Sequence, residues 1–309
     1  MIWRGEFGHF LKDGLPIVPS HEVAGVVVAL GTEASTDKSS PATGGDRPLK
    51  VGDRVGSLPP KDFCGKCDEC RAGRLKYCEG PRFLGLSDRN GGLSEYTIVD
   101  YRSVAVLPPA LSFEASASLM CAGATIYTAI KECHLKPGQH VCILGAGALG
   151  HIGCQIAKVQ GLRVSIIDAR DAPLRMCETL PHKPDATFNS SGIDAKKEQD
   201  VAKVVQAIGG EPHATIVTTD AISAFELATW ITAKHGQMQV VGQPKDAIPI
   251  SFFPLIFRDL KVTGSLIASQ ADLKELVDLV SEKGIDVKTR SFGIKEVPQL
   301  LVSRITASH

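Results

Sequence analysis

The sequence predicts an α/β protein in which a doubly wound parallel sheet follows a smaller, mostly β region. Downstream of Cys121, short apolar runs alternate with stretches of helical period, the grammar of βαβ units. Upstream of it, short β-branched runs are separated by turn-rich segments. Four cysteines at 64, 67, 70 and 78 place a metal-binding loop inside the first region. With 309 residues the chain has material for two cores rather than one.

The first region opens on the run Glu22 to Leu30, which reads as a buried strand. Thr32 to Pro48 is rich in Ser, Thr, Asp, Gly and Pro and reads as an exposed loop. Val51-Gly-Asp-Arg-Val55 is a short strand entered by a turn, and the cysteine lobe follows from Pro59 to Pro81. Strands are expected at Glu95–Val99 and Val104–Leu107. In the second region strands are expected at 140–144, 163–167, 214–218 and 236–241, with helices at 148–160, 171–179, 196–208 and 221–233. A last helix, Ala271 to Lys283, carries Leu273, Leu276, Val277 and Val280 on one face.

The spacing Cys64-Gly-Lys-Cys67-Asp-Glu-Cys70, with Cys78 after seven more residues, suits a structural zinc. Such a site needs four soft ligands on a loop that closes round one ion. Gly65 and Gly73 supply permissive backbone, and Lys66, Arg71, Arg74 and Lys76 are expected to offset the thiolate charge. Redox CxxC chemistry and disulfides are the alternatives, and three interlocked steps plus a fourth cysteine fit zinc better.

Val141-Cys-Ile-Leu144 is a buried strand that runs directly into Gly145-Ala146-Gly147-Ala148-Leu149-Gly150 and then a helix beginning at His151. This is the strand-to-helix turn of a Rossmann dinucleotide site. Gly145 permits the turn, Gly147 admits the pyrophosphate, Gly150 lets helix and strand approach, and the helix N-terminus faces the phosphates. The next strand ends in Asp168, 23 positions after Gly145, where a ribose 2′-hydroxyl is held. A 2′-phosphate there would meet the carboxylate at a cost of roughly 4 kcal/mol at ~4 Å and an effective dielectric of about 20. NAD is therefore expected over NADP, with Arg170 two residues on as a softening charge. The other reading of Asp168 is a helix N-cap.

A formal net charge of zero excludes the electrostatic footprint of a nucleic-acid binder. No apolar stretch approaches the ~18 residues of a membrane span, and the N-terminus shows no signal-peptide pattern. Cys121, Cys133, Cys142, Cys154 and Cys177 lie in apolar or helical surroundings, as reduced thiols do, so a cytoplasmic protein is expected.

Together these residues resemble the zinc-dependent alcohol dehydrogenases of the medium-chain dehydrogenase/reductase superfamily, of microbial, yeast-like type. The resemblance rests on His21-Glu22, Val51–Val55, the cysteine lobe, Gly91-Gly-Leu-Ser-Glu-Tyr96, Cys121-Ala-Gly-Ala-Thr-Ile-Tyr127 and the glycine turn ending at His151. It implies a GroES-like catalytic domain over 1–123, an NAD-binding Rossmann domain over 124–266 and a return segment over 267–309. It implies that His21 and Cys121 bind a catalytic zinc with Glu22 beside them, and that Thr125 and Val241 join the cofactor site. It further implies small-molecule alcohol, aldehyde or ketone substrates and a homodimer or homotetramer. Met1 aligns with the final histidine of the family's Cys-x-Thr/Ser-Asp-x-His motif, and the chain stops at Ile305–His309 before the family's returning edge strand. The expectation is a chain truncated at both ends, without the first zinc-ligand cysteine. Ser20 stands where the family has glycine. The leading reading is hydride transfer between an alcohol and NAD. The alternatives are an NAD(P)H-dependent reductase without catalytic zinc and a truncated, non-catalytic nucleotide-binding protein.

Overall fold

The computed structural model describes residues 16–38, 40–80, 82–86 and 89–297. The expected termini, Met1 and Ile305–His309, lie outside the described residues.

The first region holds a three-stranded antiparallel sheet of β1 (Val23–Val26), β2 (Arg54–Ser57) and β5 (Val104–Val106), in the order β1-β2-β5. Val23 pairs with Ser57, and Val55 pairs with Val106. A small hairpin of β3 (Pro60–Lys61) and β4 (Arg82–Phe83) frames the cysteine lobe. The Thr32–Pro48 segment departs from the expected exposed loop. It contains helix α1 (Thr32–Thr36) and a 3-10 turn at Pro41–Thr43, and it buries Ala34, Ser40, Ala42 and Thr43. Ala42 joins Leu49, Val55 and Val104 in a small apolar cluster, so the segment covers one face of the sheet. The expected strand at Glu95–Val99 is irregular backbone instead. Ser94 Oγ donates to the carbonyls of Gly91 and Tyr96 and curls the chain, and Tyr96 and Ile98 stay exposed.

After the one-turn helix α2 (Asp68–Arg71) in the lobe, α3 (Phe113–Ser118) leads through a π-helical turn at Leu119–Gly123 into α4 (Ala124–Glu132). The second sheet is wholly parallel: β6 (His140–Leu144), β7 (Arg163–Asp168), β8 (Ala186–Asn189), β9 (Ala214–Val217), β10 (Gln237–Val240) and β11 (Lys261–Gly264). Their order is β11-β10-β9-β6-β7-β8. Helices α5 (Ala148–Val159), α6 (Asp171–Glu178), α7 (Glu198–Ala207), α8 (Ile222–Ile231) and α9 (Phe252–Phe257) make the crossovers. Every residue of β6 is buried, as befits a strand covered on both faces. The chain reverses its direction of travel between β6 and β9, which opens a crevice at their C-terminal ends. Strands β8 and β11 escape sequence reading because Ala-Thr-Phe-Asn and Lys-Val-Thr-Gly carry too little apolar pattern.

Helix α10 (Gln270–Lys283) ties the two regions together. Ser269 and Asp272 form its capping box, and Gly284 ends it in left-handed geometry. Its apolar face, Leu273, Leu276, Val277 and Val280, is fully buried, and Gln270 Nε2 donates to the carbonyls of Tyr101, just before β5, and Val104, its first residue. No described helix is long and apolar enough to cross a membrane.

Candidate functional site

The glycine turn is built as the sequence predicts. Gly145 leaves β6 with φ 110°, and its N–H donates to the Ile167 carbonyl of β7 at 2.7 Å. A β-carbon on Gly150 would stand 1.9 Å from the Gly145 carbonyl oxygen, so α5 reaches the strand only because that carbon is missing. Around Gly147 nothing lies within 4 Å of such a carbon, which leaves its backbone open to a ligand. Ala148 and Leu149 begin α5, and His151 in its first turn is buried, its Nδ1 facing the Gly147 carbonyl at 3.0 Å. Burial pushes the His151 imidazole below its ordinary value. Its Nε2 then accepts the Lys288 N–H at 3.2 Å, which pins the returning chain to the glycine turn.

Asp168 sits at the end of β7 with its carboxylate almost wholly covered. Oδ2 accepts the Ala146 N–H at 2.8 Å and Arg170 Nη2 at 3.3 Å, and Oδ1 accepts the Arg170 N–H at 3.0 Å and Nε at 3.1 Å. Burial alone would raise this carboxyl, but the Arg170 fork and the two backbone donors hold it below the usual range. Gly145, Asp168, Arg170, Ser190, Thr219 and Ser223 line a cavity of about 320 Å³ at the switch between β6 and β9. Thr218 and Gly242 shape the crevice unannounced by the sequence. Thr218 Oγ1 donates to Leu144 and Gly145 carbonyls, and a β-carbon on Gly242 would stand 1.9 Å from the Thr219 carbonyl oxygen. Gly242 follows an apolar strand, a position where glycine marks close backbone approach. Val241, half-buried beside it, donates its N–H to the Val217 carbonyl at 3.1 Å.

The four lobe thiols converge. Their sulfurs all lie within 4.8 Å of one another, and Cys64 Sγ stands 3.9 Å from Cys70 Sγ. Four ligands at about 2.3 Å from a tetrahedral zinc would have sulfurs roughly 3.8 Å apart, so the cage fits that ion. Backbone N–H groups of Cys64, Cys67 and Cys70 point at the sulfurs of Cys78, Cys64 and Cys67, each at 3.4 Å. Gly65 and Gly73 take positive φ, as expected. Backbone N–H groups of Lys66 and Cys67 draw the Cys64 thiol down to about 6, while desolvation and the neighbouring thiols push Cys70 up to about 12. So many sulfurs cannot all ionise in this volume without a cation. The expected charge compensation by basic side chains is different in the structure. Arg71 pairs with Asp68 and Arg74 with Glu69, and Lys76 donates to Glu132, Leu266 and Ile267.

Glu22 and Cys121 meet from two distant stretches, with His21 next to Glu22 in the chain. Glu22 Oε1 accepts the Ala122 N–H at 3.3 Å, which sets its carboxylate beside Cys121 in the π-helical turn. Such turns widen a helix locally and aim a side chain out of its regular direction. Burial lowers the His21 imidazole, keeping it neutral, and raises the Glu22 carboxyl. Burial and the Glu22 charge push the Cys121 thiol up to about 12 against the Thr125 hydroxyl's opposing hydrogen bond. The N, O and S donor types are those zinc takes. Among the described residues, however, the lobe is where three or more such donors meet within 4.8 Å, and the His21–Glu22–Cys121 trio does not close to that range.

A parallel sheet with an open glycine turn at its switch point, joined to a β domain bearing a four-thiol lobe, is the architecture of the medium-chain zinc dehydrogenases. The chain matches the zinc-binding dehydrogenase family over residues 148–282 and the alcohol dehydrogenase GroES-like domain over residues 1–109. It is 35% identical over 272 residues to an alcohol dehydrogenase of Geobacillus stearothermophilus, covering 88% of this chain and 74% of that one. It is 32% identical over 267 residues to an alcohol dehydrogenase of Rhizobium meliloti strain 1021, covering 86% and 72%. The solved alcohol dehydrogenase of the archaeon Aeropyrum pernix superposes with a TM-score of 0.82 at 25% identity, covering 99% of this chain and 84% of that one. The chain belongs to the zinc-binding alcohol dehydrogenase family.

Proposed function

We propose that this oxidoreductase transfers hydride between an alcohol and NAD, giving an aldehyde or ketone. The observation that carries the reading is the crevice at the β6–β9 switch, where Gly147 leaves open backbone and Asp168 stands at the strand end. In this reading Gly145 to Gly150 receive the pyrophosphate and Asp168 the adenosine ribose, with Thr125 and Val241 at the nicotinamide end. His21 and Cys121 are the proposed ligands of a catalytic zinc, with Glu22 alongside. A zinc held there supplies Lewis acidity toward the alcohol oxygen. The lobe formed by Cys64, Cys67, Cys70 and Cys78 is proposed to hold a second, structural zinc.

A homodimer is also proposed. β11 ends the parallel sheet with one edge unpaired among the described residues, and Phe252, Ile256 and Phe257 lie exposed on α9, just before β11 in the chain. An exposed apolar patch and an open sheet edge each suit a second copy of the same surface.

The test incubates the purified chain with NAD and a panel of primary and secondary alcohols, following reduced nicotinamide by absorbance. Turnover lost on chelation or in Cys121→Ser supports the zinc-dependent reading. Turnover that survives both rejects it in favour of a reductase without catalytic zinc. NAD binding without turnover of any panel member rejects an active enzyme altogether.

A further inference from the structure

Lys76 belongs to the thiol lobe, yet its ammonium bonds only to groups outside it. It lies on a 3-10 turn, Leu75–Tyr77, that runs into Cys78, and its side chain is 14% exposed. Nζ donates to the carbonyls of Leu266 and Ile267 at 3.0 and 3.1 Å and to Glu132 Oε1 at 3.4 Å, one partner for each of its three protons. Glu132 is itself tied to the second sheet. Its Oε2 accepts Gln239 Nε2 at 3.2 Å and its carbonyl accepts Gln237 Nε2 at 3.3 Å, both from β10. The 265–268 segment leaves β11 at the C-terminal end of that sheet, where the Ser265 N–H donates to the Val240 carbonyl at 3.0 Å, next to Val241. In a trans peptide the carbonyl and the N–H point opposite ways. Drawing both carbonyls to Lys76 therefore turns the Ile267 and Ala268 N–H groups away from the lobe. Neither N–H has a partner among the described residues, although Ile267 and Ala268 are buried. Ser265 Oγ, buried in the same segment, has none either. Buried polar groups left unpaired at the ligand-bearing end of a parallel sheet mark a wall that a bound molecule completes.

We propose that Lys76 is a positioning residue for the dinucleotide, and that through it the filled thiol lobe and the bound nucleotide stabilise one another. This rests on the dinucleotide reading of the crevice, in which Val241 stands at the nicotinamide end. Beyond Ser265 the segment has no strand ladder, and among the described residues the ammonium is what bonds its Leu266 and Ile267 carbonyls. Held by Lys76, the segment is ordered before the nucleotide arrives, so binding does not bear the cost of ordering it. Lys76 is held in turn by the loop between Cys70 and Cys78, and an ion bound to both thiols fixes where the side chain starts. Coupling of this kind is reciprocal: whatever the filled lobe adds to nucleotide affinity, the nucleotide adds to the stability of the lobe.

The test titrates the zinc-loaded full chain with NAD by calorimetry, without alcohol, and follows amide exchange over residues 64–78 with and without NAD. Lys76→Met, which keeps the stem and removes the ammonium, is expected to bind NAD about tenfold more weakly with its zinc content unchanged. Lys76→Arg, which can still donate to both carbonyls, is expected to bind within about threefold of the wild type. NAD is expected to slow lobe exchange in the wild type and to leave it unchanged in Lys76→Met. Wild-type affinity in a Lys76→Met chain that keeps its zinc overturns the proposal. So does wild-type lobe exchange that NAD leaves untouched, and this measurement decides alone where Lys76→Met loses its zinc. A wild type that binds no NAD removes the dinucleotide reading and this inference with it.

Discussion

Gly91 and Ser20 touch through their backbones: a β-carbon on Gly91 would stand 1.9 Å from the Ser20 carbonyl oxygen. That carbonyl also accepts the Gly92 N–H at 2.9 Å, and Gly85 approaches the same Ser20 backbone. The contact fixes the residue immediately before His21 and Glu22. Ser20 adopts φ 83°, the left-handed region that favours glycine, which fits the glycine that the family resemblance leads one to expect there.

Ser20→Gly is expected to stabilise the chain. Relief of left-handed strain is worth about 1–2 kcal/mol, and the added freedom of the unfolded chain returns about 0.5–1 kcal/mol. A net gain of about 0.5–1 kcal/mol in urea melts is the expected result; a loss would mean that the Ser20 backbone is unstrained. Gly91→Ala forces backbone apart and is expected to cost about 3 kcal/mol or more, or soluble yield outright.

The lobe's metal is expected to govern more than the lobe. Lys76, two residues before Cys78, donates to the Leu266 and Ile267 carbonyls at 3.0 and 3.1 Å and to Glu132 at 3.4 Å. Removing the ion by chelation or Cys70→Ser frees this clamp. Elemental analysis should show one zinc fewer per chain, and the melting temperature should fall by about 5 °C or more. Amide exchange at residues 266–268 should quicken in the same sample. Unchanged exchange there, with the lobe empty, would show that Lys76 is held by its partners alone.

Local grammar carried much of this in advance, and contacts between distant segments carried the rest. The glycine turn, Asp168 and the cysteine lobe were legible because each is a local pattern of fixed spacing. The expected parallel sheet and GroES-like region stand, with β8 and β11 unseen because four polar-leaning residues carry no period. The partly buried 32–48 segment misleads for a related reason: Ala42 is buried in a cluster with Leu49 and Val55, not by any pattern of its own. Arg71, Arg74 and Lys76 take carboxylate and carbonyl partners that spacing, which shows charge but not partner, does not reveal. Arg74 faces Glu69 at 2.6 Å, a choice made by the fold of the loop. The Asp168–Arg170 fork was visible as a proximity of two letters, yet its four-donor geometry needed coordinates.

Self-association should depend on the apolar edge beside β11. Phe253 is anchored between Trp230 and Phe257, with ring centroids 6.2 and 4.9 Å away, which leaves Phe252, Ile256 and Phe257 presented outward. The double variant Ile256→Glu/Phe257→Glu is expected to sediment as a monomer at concentrations where the wild type is a dimer. Charges facing their own copies across a two-fold axis repel as well as desolvate. A wild type that is monomeric at those concentrations contradicts the proposed interface.

Acid sensitivity should trace in part to His140, far from the glycine turn at the opposite end of β6. The residue is 3% exposed, its Nε2 meets Ser165 Oγ at 2.8 Å, and its Nδ1 has no partner. Burial, reinforced by the positive charge of Arg163, lowers its imidazole to about 4. The unfolded imidazole takes up a proton near 6.5, one that the native site declines. Its contribution is therefore fully present above pH ~6.5 and is lost as pH falls toward about 4. The shift corresponds to about 3 kcal/mol across that window. In urea melts at pH 7 and about pH 4.5, His140→Gln, which can still bond Ser165, should lose about 2–3 kcal/mol less than the wild type. The carboxylates titrate alike in both proteins and cancel in the difference. Parallel losses in the two proteins would show that the native site accommodates the charged imidazole, and that His140 plays no part in acid unfolding.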